Sequence, residues 1–125
     1  MVKAIISAIV GLALVITASL LESNYVQKTF DNFNQDLTAI YKKIKEETAT
    51  EEELISLQDK WFSKKEELHI FIPHNEIKEV DLWLSEAVSL IKNKDYEETG
   101  YRIEVVINLI KQIAKTFSFR LENIL

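Results

Sequence analysis

Hydrophobic positions divide the chain into two parts with different patterns. Residues 4–21 read AIISAIVGLALVITASLL, without a charged side chain, an amide or a proline. A helix over these 18 residues spans roughly 27 Å, close to the roughly 30 Å of a bilayer's hydrocarbon core. The stretch therefore predicts a single-pass transmembrane anchor over residues 1–21. A cleaved signal peptide and a buried core helix are the alternatives.

After residue 21 the apolar residues recur at helical spacing. Between Glu22 and Glu47 they alternate in steps of four and three, which is a heptad-type seam: Val26, Phe30, Phe33, Leu37, Ile40 and Ile44. No glycine or proline lies between Leu12 and Ile72. The anchor helix is therefore expected to continue into this helix as a stiff stalk.

Turn signals mark the starts of three further helices. Thr50 with Glu53 is a capping box, and Asp95 with Glu98 is a second capping pair. Pro73 between them ends the second predicted helix, because proline cannot donate a backbone hydrogen bond. The third helix is expected to begin at residue 74 or 75, and the fourth to continue to near residue 121.

Each of these helices presents an apolar stripe to its neighbours. The stripe positions are Leu54, Leu57, Trp61, Leu68 and Phe71, then Ile77, Val80, Leu84, Val88 and Ile91, and finally Ile103, Val106, Ile107, Ile110, Ile113, Ala114 and Phe117. Ile70 to Ile72 are expected to tuck under the bundle end. The fold class is all-α: a transmembrane helix followed by an antiparallel up-down four-helix bundle over residues 22–125. Two stacked helical hairpins are the alternative.

Composition narrows the function classes. The chain has 125 residues, two glycines, one proline and no cysteine, which favours a few long helices and excludes disulfides and lipoprotein attachment. Residues 22–125 contain every acidic residue and every basic residue except Lys3, so their net charge is −6. That charge is unfavourable for nucleic acid. Lys3 before the span predicts an inside N-terminus and an extracytoplasmic body.

Few residues offer chemistry. The sequence Glu66-Glu67-Leu68-His69 holds one Glu-x-x-His unit, whereas a di-metal bundle needs two. His74 beside Glu76 could act in acid–base work, but this pair also suits a helix start. We expect no catalytic residue, metal ligand or cofactor.

A side patch is the better candidate site. Tyr101, Val105 and Leu109 follow one another at four-residue spacing, off the core stripe, and Trp83 is a further aromatic residue off the main stripe. Such a patch marks either a partner surface or a face covered by a neighbouring helix.

The chain resembles an uncharacterised family catalogued as domain of unknown function 4363, short membrane-anchored proteins of Firmicute bacteria. The resemblance is carried by the N-terminal span, by Trp61, Leu68, Asp81 and Asp95, by the segment Phe71, Ile72, His74, Glu76 and Ile77, and by the closing Leu121 to Leu125 with Asn123. It implies a helical body on an anchor, no known activity, and an accessory role beside a larger membrane protein.

The sequence thus predicts a single-pass, membrane-anchored accessory protein. Residues 4–21 would contact the bilayer, and the body would bind another membrane or envelope protein rather than nucleic acid. One alternative is a homo-oligomeric coiled-coil stalk through Phe30, Phe33, Leu37 and Ile40. The other is an enzyme using His74 and Glu76.

Overall fold

Four helices make up the part of the chain that the computed structural model describes, residues 1–124. They are α1 (Val2–Lys45), α2 (Glu51–Leu68), α3 (His74–Lys92) and α4 (Tyr96–Ile124). α1 packs against α2 and α4, and α3 packs against the same two helices. Short turns join consecutive neighbours, so the body is an up-down four-helix bundle. The predicted fold class is confirmed.

α1 runs without a break from the apolar stretch into the bundle. Among residues 2–21 only Ser19 is partly buried, and the remaining side chains are exposed. The first buried residue is Val26, and the buried residues of α1 are the six predicted seam positions. The exposed part is long and apolar enough to cross a membrane, a property that signal sequences share. The predicted boundary at residue 21 therefore lies within one helix.

Trp61 is the largest fully buried side chain of the bundle core in the described part of the chain. Its ring centroid lies 5.4 Å from that of Phe33, and its side chain is 1% exposed. The indole Nε1 donates a hydrogen bond to Asp81 Oδ1 at 2.6 Å, and the Lys65 ammonium lies 3.0 Å from the other oxygen of that carboxylate. The one polar atom of this large side chain is thus satisfied, as buried tryptophans require.

Two capped turns lie at the end of the bundle remote from residues 2–21. Thr50 Oγ1 accepts a hydrogen bond from the Glu53 amide at 3.3 Å, and Asp95 Oδ1 accepts one from the Glu98 amide at 3.3 Å. Both predicted helix starts are confirmed. The Lys43 ammonium, 2.7 Å from Glu53 Oε2, lowers the pKa of that carboxyl by a direct hydrogen bond, with a smaller contribution from Thr50.

The α2–α3 turn closes the opposite end, beside the apolar part of α1. α3 begins at His74, directly after Pro73. Ile72 is buried, and the Phe71 ring meets the Phe117 ring edge-on at 6.0 Å. Ile70 is 84% exposed, so its predicted burial is wrong: its two successors in the turn occupy the space at the bundle end.

α4 is longer than its pattern predicts. It continues past residue 121 to Ile124, since no glycine or proline interrupts it after Gly100. Leu125, the last residue of the predicted bundle domain and of the family motif, lies outside the described residues.

Candidate interaction surface on α3 and α4

The four predicted patch residues lie on the two helices that form one side of the bundle. Trp83 comes from α3, and Tyr101, Val105 and Leu109 come from α4. Tyr101 is 47% exposed, while the other three are partly buried. Trp83 and Leu109 pack against the edge of the core. The neighbouring helix therefore covers part of this patch and leaves the rest open to solvent.

Arg102 ties the two helices together at this patch. Its guanidinium carbon lies 5.7 Å from the centroid of the Trp83 ring, within cation–π distance. Arg102 Nη1 lies 2.9 Å from Glu98 Oε2, and Nε lies 3.4 Å from Glu86 Oε2 on α3. The Trp83 indole in turn donates to Glu79 Oε2 at 3.3 Å. Each cationic or aromatic group here thus has a carboxylate neighbour.

Arg102 is not among the patch residues that the sequence pattern predicts. Its spacing of four from Glu98 is a readable signal for an ion pair along one helix. Its position over Trp83 depends on how α3 and α4 are rotated about their axes, which the spacing within either helix does not specify.

Tyr101 presents a neutral phenol to solvent. Its hydroxyl donates to Glu97 Oε1 at 3.2 Å. The carboxylate acceptor raises the pKa of the Tyr101 phenol, since deprotonation would place two negative charges side by side. The side chain therefore stays an uncharged donor throughout the physiological pH range.

We call Trp83, Tyr101, Arg102, Val105 and Leu109 together the Trp83 surface. It combines two aromatic side chains, an arginine and two aliphatic ones. Its charged surroundings are mainly acidic, with glutamates at positions 79, 86, 97 and 98. An arrangement of this kind offers apolar contact at the centre and negative charge at the rim.

A groove between α1 and α2 is a further surface feature. A cavity of about 540 Å³ in this groove is lined in part by Ile40 and Leu57, whose side chains are buried. Two ion pairs join its walls, one from Lys43 to Glu53 and one from Lys60 to Asp36. No sequence pattern announced this groove, because it arises from the separation of two helices. Its own side chains bridge it.

The family-motif residues lie at the α2–α3 end of the bundle, beside the apolar part of α1. Ile72 and Ile77 are buried there, so their role is packing. The His74 ring stacks on His69 with centroids 5.2 Å apart, and among the described residues no hydrogen bond joins His74 to Glu76. Asn123 lies exposed on the last turn of α4. This part of α4 lies at the same end of the bundle, as the contact between Phe117 and Phe71 of the α2–α3 turn shows.

A family model described as "Domain of unknown function (DUF4363)" matches residues 20–124. The chain belongs to this family. The DUF4363 match begins at the end of the apolar stretch and takes in the whole described bundle. No curated protein and no solved structure matches the chain.

Proposed function

We propose that this protein is a single-pass membrane-anchored accessory protein whose bundle binds another membrane or envelope protein through the Trp83 surface. Residues 4–21 form the anchor, and the body stands on the extracytoplasmic side. The protein acts by binding rather than by catalysis.

One observation carries the proposal: Arg102 on α4 lies over Trp83 on α3, and Tyr101, next to Arg102 in the chain, is open to solvent. Arg102 covers the Trp83 ring at 5.7 Å, and Tyr101 precedes it with 47% of its surface exposed. Tryptophan, tyrosine and arginine are the residue types most concentrated among the energetically dominant positions of protein interfaces. The rigid rings of tryptophan and tyrosine give large contact area at low entropic cost.

The surrounding charge indicates what kind of partner fits. Carboxylates of Glu79, Glu86, Glu97 and Glu98 border the surface, with Arg102 as the cation between them. A partner with lysines or arginines around an apolar centre would complement this arrangement, and its association would weaken as salt is added.

The apolar part of α1 supports the membrane assignment. Its large side chains are exposed along the whole stretch from Val2 to Leu21 and contribute nothing to the bundle core. A continuous surface of this kind is unfavourable in water but suits lipid. Because α1 is unbroken, the body is held close to the membrane, where a membrane partner is concentrated.

The coiled-coil stalk has less support. Phe30, Phe33, Leu37 and Ile40 are at most 8% exposed, because α2 and α4 already cover this seam. A second copy could reach them only by opening the bundle. The helical seam was predicted at the right residues, but its partners lie within the same chain.

Crosslinking in the native host membrane tests the binding proposal. A photo-crosslinking amino acid at Val105, in the full chain, is expected to join it to one specific membrane or envelope protein. The adduct should decrease strongly on Tyr101→Ala and on Glu97→Lys, because these changes remove contact area and acidic charge. Higher salt should decrease it too.

Phe62→Ala is the matched control, because Phe62 is an exposed aromatic residue on α2. It should leave the adduct unchanged. Equal loss in the control, or an adduct insensitive to Tyr101→Ala, would contradict binding through the Trp83 surface. A single cysteine at the exposed Thr48 tests orientation: labelling by a membrane-impermeant thiol reagent on intact cells supports an extracytoplasmic body, and labelling only after lysis contradicts it.

A further inference from the structure

The end of α4 lies level with the apolar stretch of α1. Gln27 Nε2 on α1 donates a hydrogen bond to the Ala114 carbonyl on α4 at 3.3 Å. The two helices run in opposite directions, so each residue that α4 gains beyond Ala114 lies level with one residue nearer the start of α1. Five residues along each helix bring Phe119 level with Glu22. Residues 120–124 then lie beside the last residues of the apolar stretch.

Burial on α1 supports this register independently. Ser19 and Ser23 are partly buried, whereas their neighbours Ala18, Leu20 and Glu22 are exposed. A one-sided burial in this part of α1 requires a covering element on that side. α4 supplies it, since Leu121 is partly buried against the core.

Three of the side chains exposed at this end of the bundle are apolar or aromatic. Phe119 on α4 is 62% exposed, Ile70 in the α2–α3 turn is 84% exposed, and Tyr25 on α1 is 47% exposed. Ile70 adjoins Phe71, whose ring contacts Phe117, and the Tyr25 hydroxyl donates to Glu67 near the end of α2. The three side chains therefore project at similar heights from different sides of the bundle.

From these observations we infer that the base of the bundle is seated in the headgroup region of the bilayer. This inference depends on the proposed membrane anchor. Phe119 and Ile70 lie at the boundary between acyl chains and headgroups, Tyr25 lies among the headgroups, and the exposed Arg120 binds lipid phosphate. We call these four residues the base ring.

The dimensions and chemistry agree with this seat. Each interfacial region of a bilayer is about 5–8 Å thick, which equals roughly four or five residues of helix rise. Aromatic side chains favour that region, and an arginine near a helix end extends its guanidinium toward the phosphates. Exposed to water, the same apolar side chains would contribute no stabilising free energy. A lipid surface is the favoured occupant because the base ring adjoins the apolar stretch directly.

Depth-dependent fluorescence quenching tests the seat on the full chain. The protein has no native cysteine, so single cysteines can carry an environment-sensitive fluorophore in vesicles of phosphatidylcholine and phosphatidylglycerol. Lipids brominated high on the acyl chain quench only fluorophores near the interface. Phe119→Cys and Ile70→Cys are expected to be quenched several-fold more strongly than Gln112→Cys.

Gln112 is the matched control, because it is exposed on the same helix and lies two turns farther from the membrane. Leu14→Cys, near the middle of the apolar stretch, reports on the anchor itself in vesicles whose lipids are brominated near the end of the acyl chain. Quenching at Leu14 without quenching at positions 119 and 70 would overturn the seat and leave the anchor standing. No quenching at Leu14 would overturn both. Shielding of position 119 from water without quenching by lipid would show a protein in place of lipid, and would also overturn the seat.

A variant pair gives a second measurement. Phe119→Ser combined with Ile70→Ser removes the exposed apolar groups without touching the core, so the body should keep its melting temperature. A fluorophore attached to a single cysteine at position 48, far from the membrane, should then show a wider range of orientations relative to the bilayer in supported bilayers. An unchanged range would count against the seat, and a loss of folding would show that these side chains stabilise the bundle instead.

Discussion

The two parts of α1 form one helix, yet they suit different surroundings. Residues 2–21 expose their large apolar side chains around the whole circumference. Residues 22–45 confine theirs to one seam, which the other helices bury. The backbone hydrogen bonding is the same in both parts. The distribution of side chains around the axis therefore decides whether a helix is compatible with lipid or with a bundle core.

The largest effect should come from a charge in the buried seam. Leu37→Asp is expected to unfold the body, because it places an unpaired carboxylate at a site that is 0% exposed. Substitutions of this kind cost about 4 kcal/mol or more, a large share of a small domain's stability. Circular dichroism during thermal unfolding measures the loss, and Leu84→Asp on α3 should behave alike. Ala39→Asp, on the exposed side of α1, should melt like the parent.

The same change in the apolar part should have the opposite signature. Leu14→Asp is expected to weaken membrane insertion by about 3 kcal/mol while the bundle keeps its melting temperature, because Leu14 lies outside the core. Membrane fractionation after alkaline washing measures insertion, with Leu14→Ile as the control. A destabilised bundle would show that the two parts of α1 are less independent than their burial indicates.

A smaller effect is expected at the turn between α1 and α2. Thr50→Ala removes the acceptor for the Glu53 amide and should lower the free energy of unfolding by about 1 kcal/mol. Thr38→Ala is the control, because Thr38 is exposed within α1 and bonds only to the Asn34 carbonyl. Denaturant titration of both variants gives the difference, and equal stabilities would rule out a capping contribution.

The smallest effect concerns pH at the same turn. Because the Lys43 ammonium lowers the pKa of Glu53, the folded state keeps this carboxylate ionised where the unfolded chain already binds a proton. The stabilisation is complete above the ordinary pKa of 4.5 and disappears as the pH falls through the lower folded value. Glu53→Gln should thus be less stable by about 0.5 kcal/mol or less at pH 7.

The parent and Glu53→Gln should converge in acid. Melting temperatures measured from pH 7 down to pH 3 test this. A difference that stays constant over that range would mean that the ionisation of Glu53 contributes nothing.

Local features of the fold could be predicted from the sequence. The seam of α1 was identified residue by residue, since the alternating steps of four and three place those side chains on one face. The helix starts after Thr50 and Asp95 were identified from their capping chemistry. These signals act over three or four residues, so they do not depend on the rest of the fold.

Pairings between helices could not be predicted in the same way. The position of Arg102 over Trp83 and the bond from Gln27 to Ala114 depend on the rotation and relative height of two helices. Ile70 was misjudged for a related reason: within an apolar turn, the burial of each side chain depends on which of its neighbours fills the available space. The patch residues were readable as a set, but not their carboxylate surroundings.

The unbroken course of α1 has a mechanical consequence for an anchored chain. Residues 22–45 form a rigid arm of about 35 Å that cannot bend independently of the span. Transmembrane helices commonly tilt by about 20°, and the tilt follows bilayer thickness; that angle would carry the far end of the arm roughly 12 Å sideways. A change in membrane thickness would then displace the bundle surface that is offered to a partner.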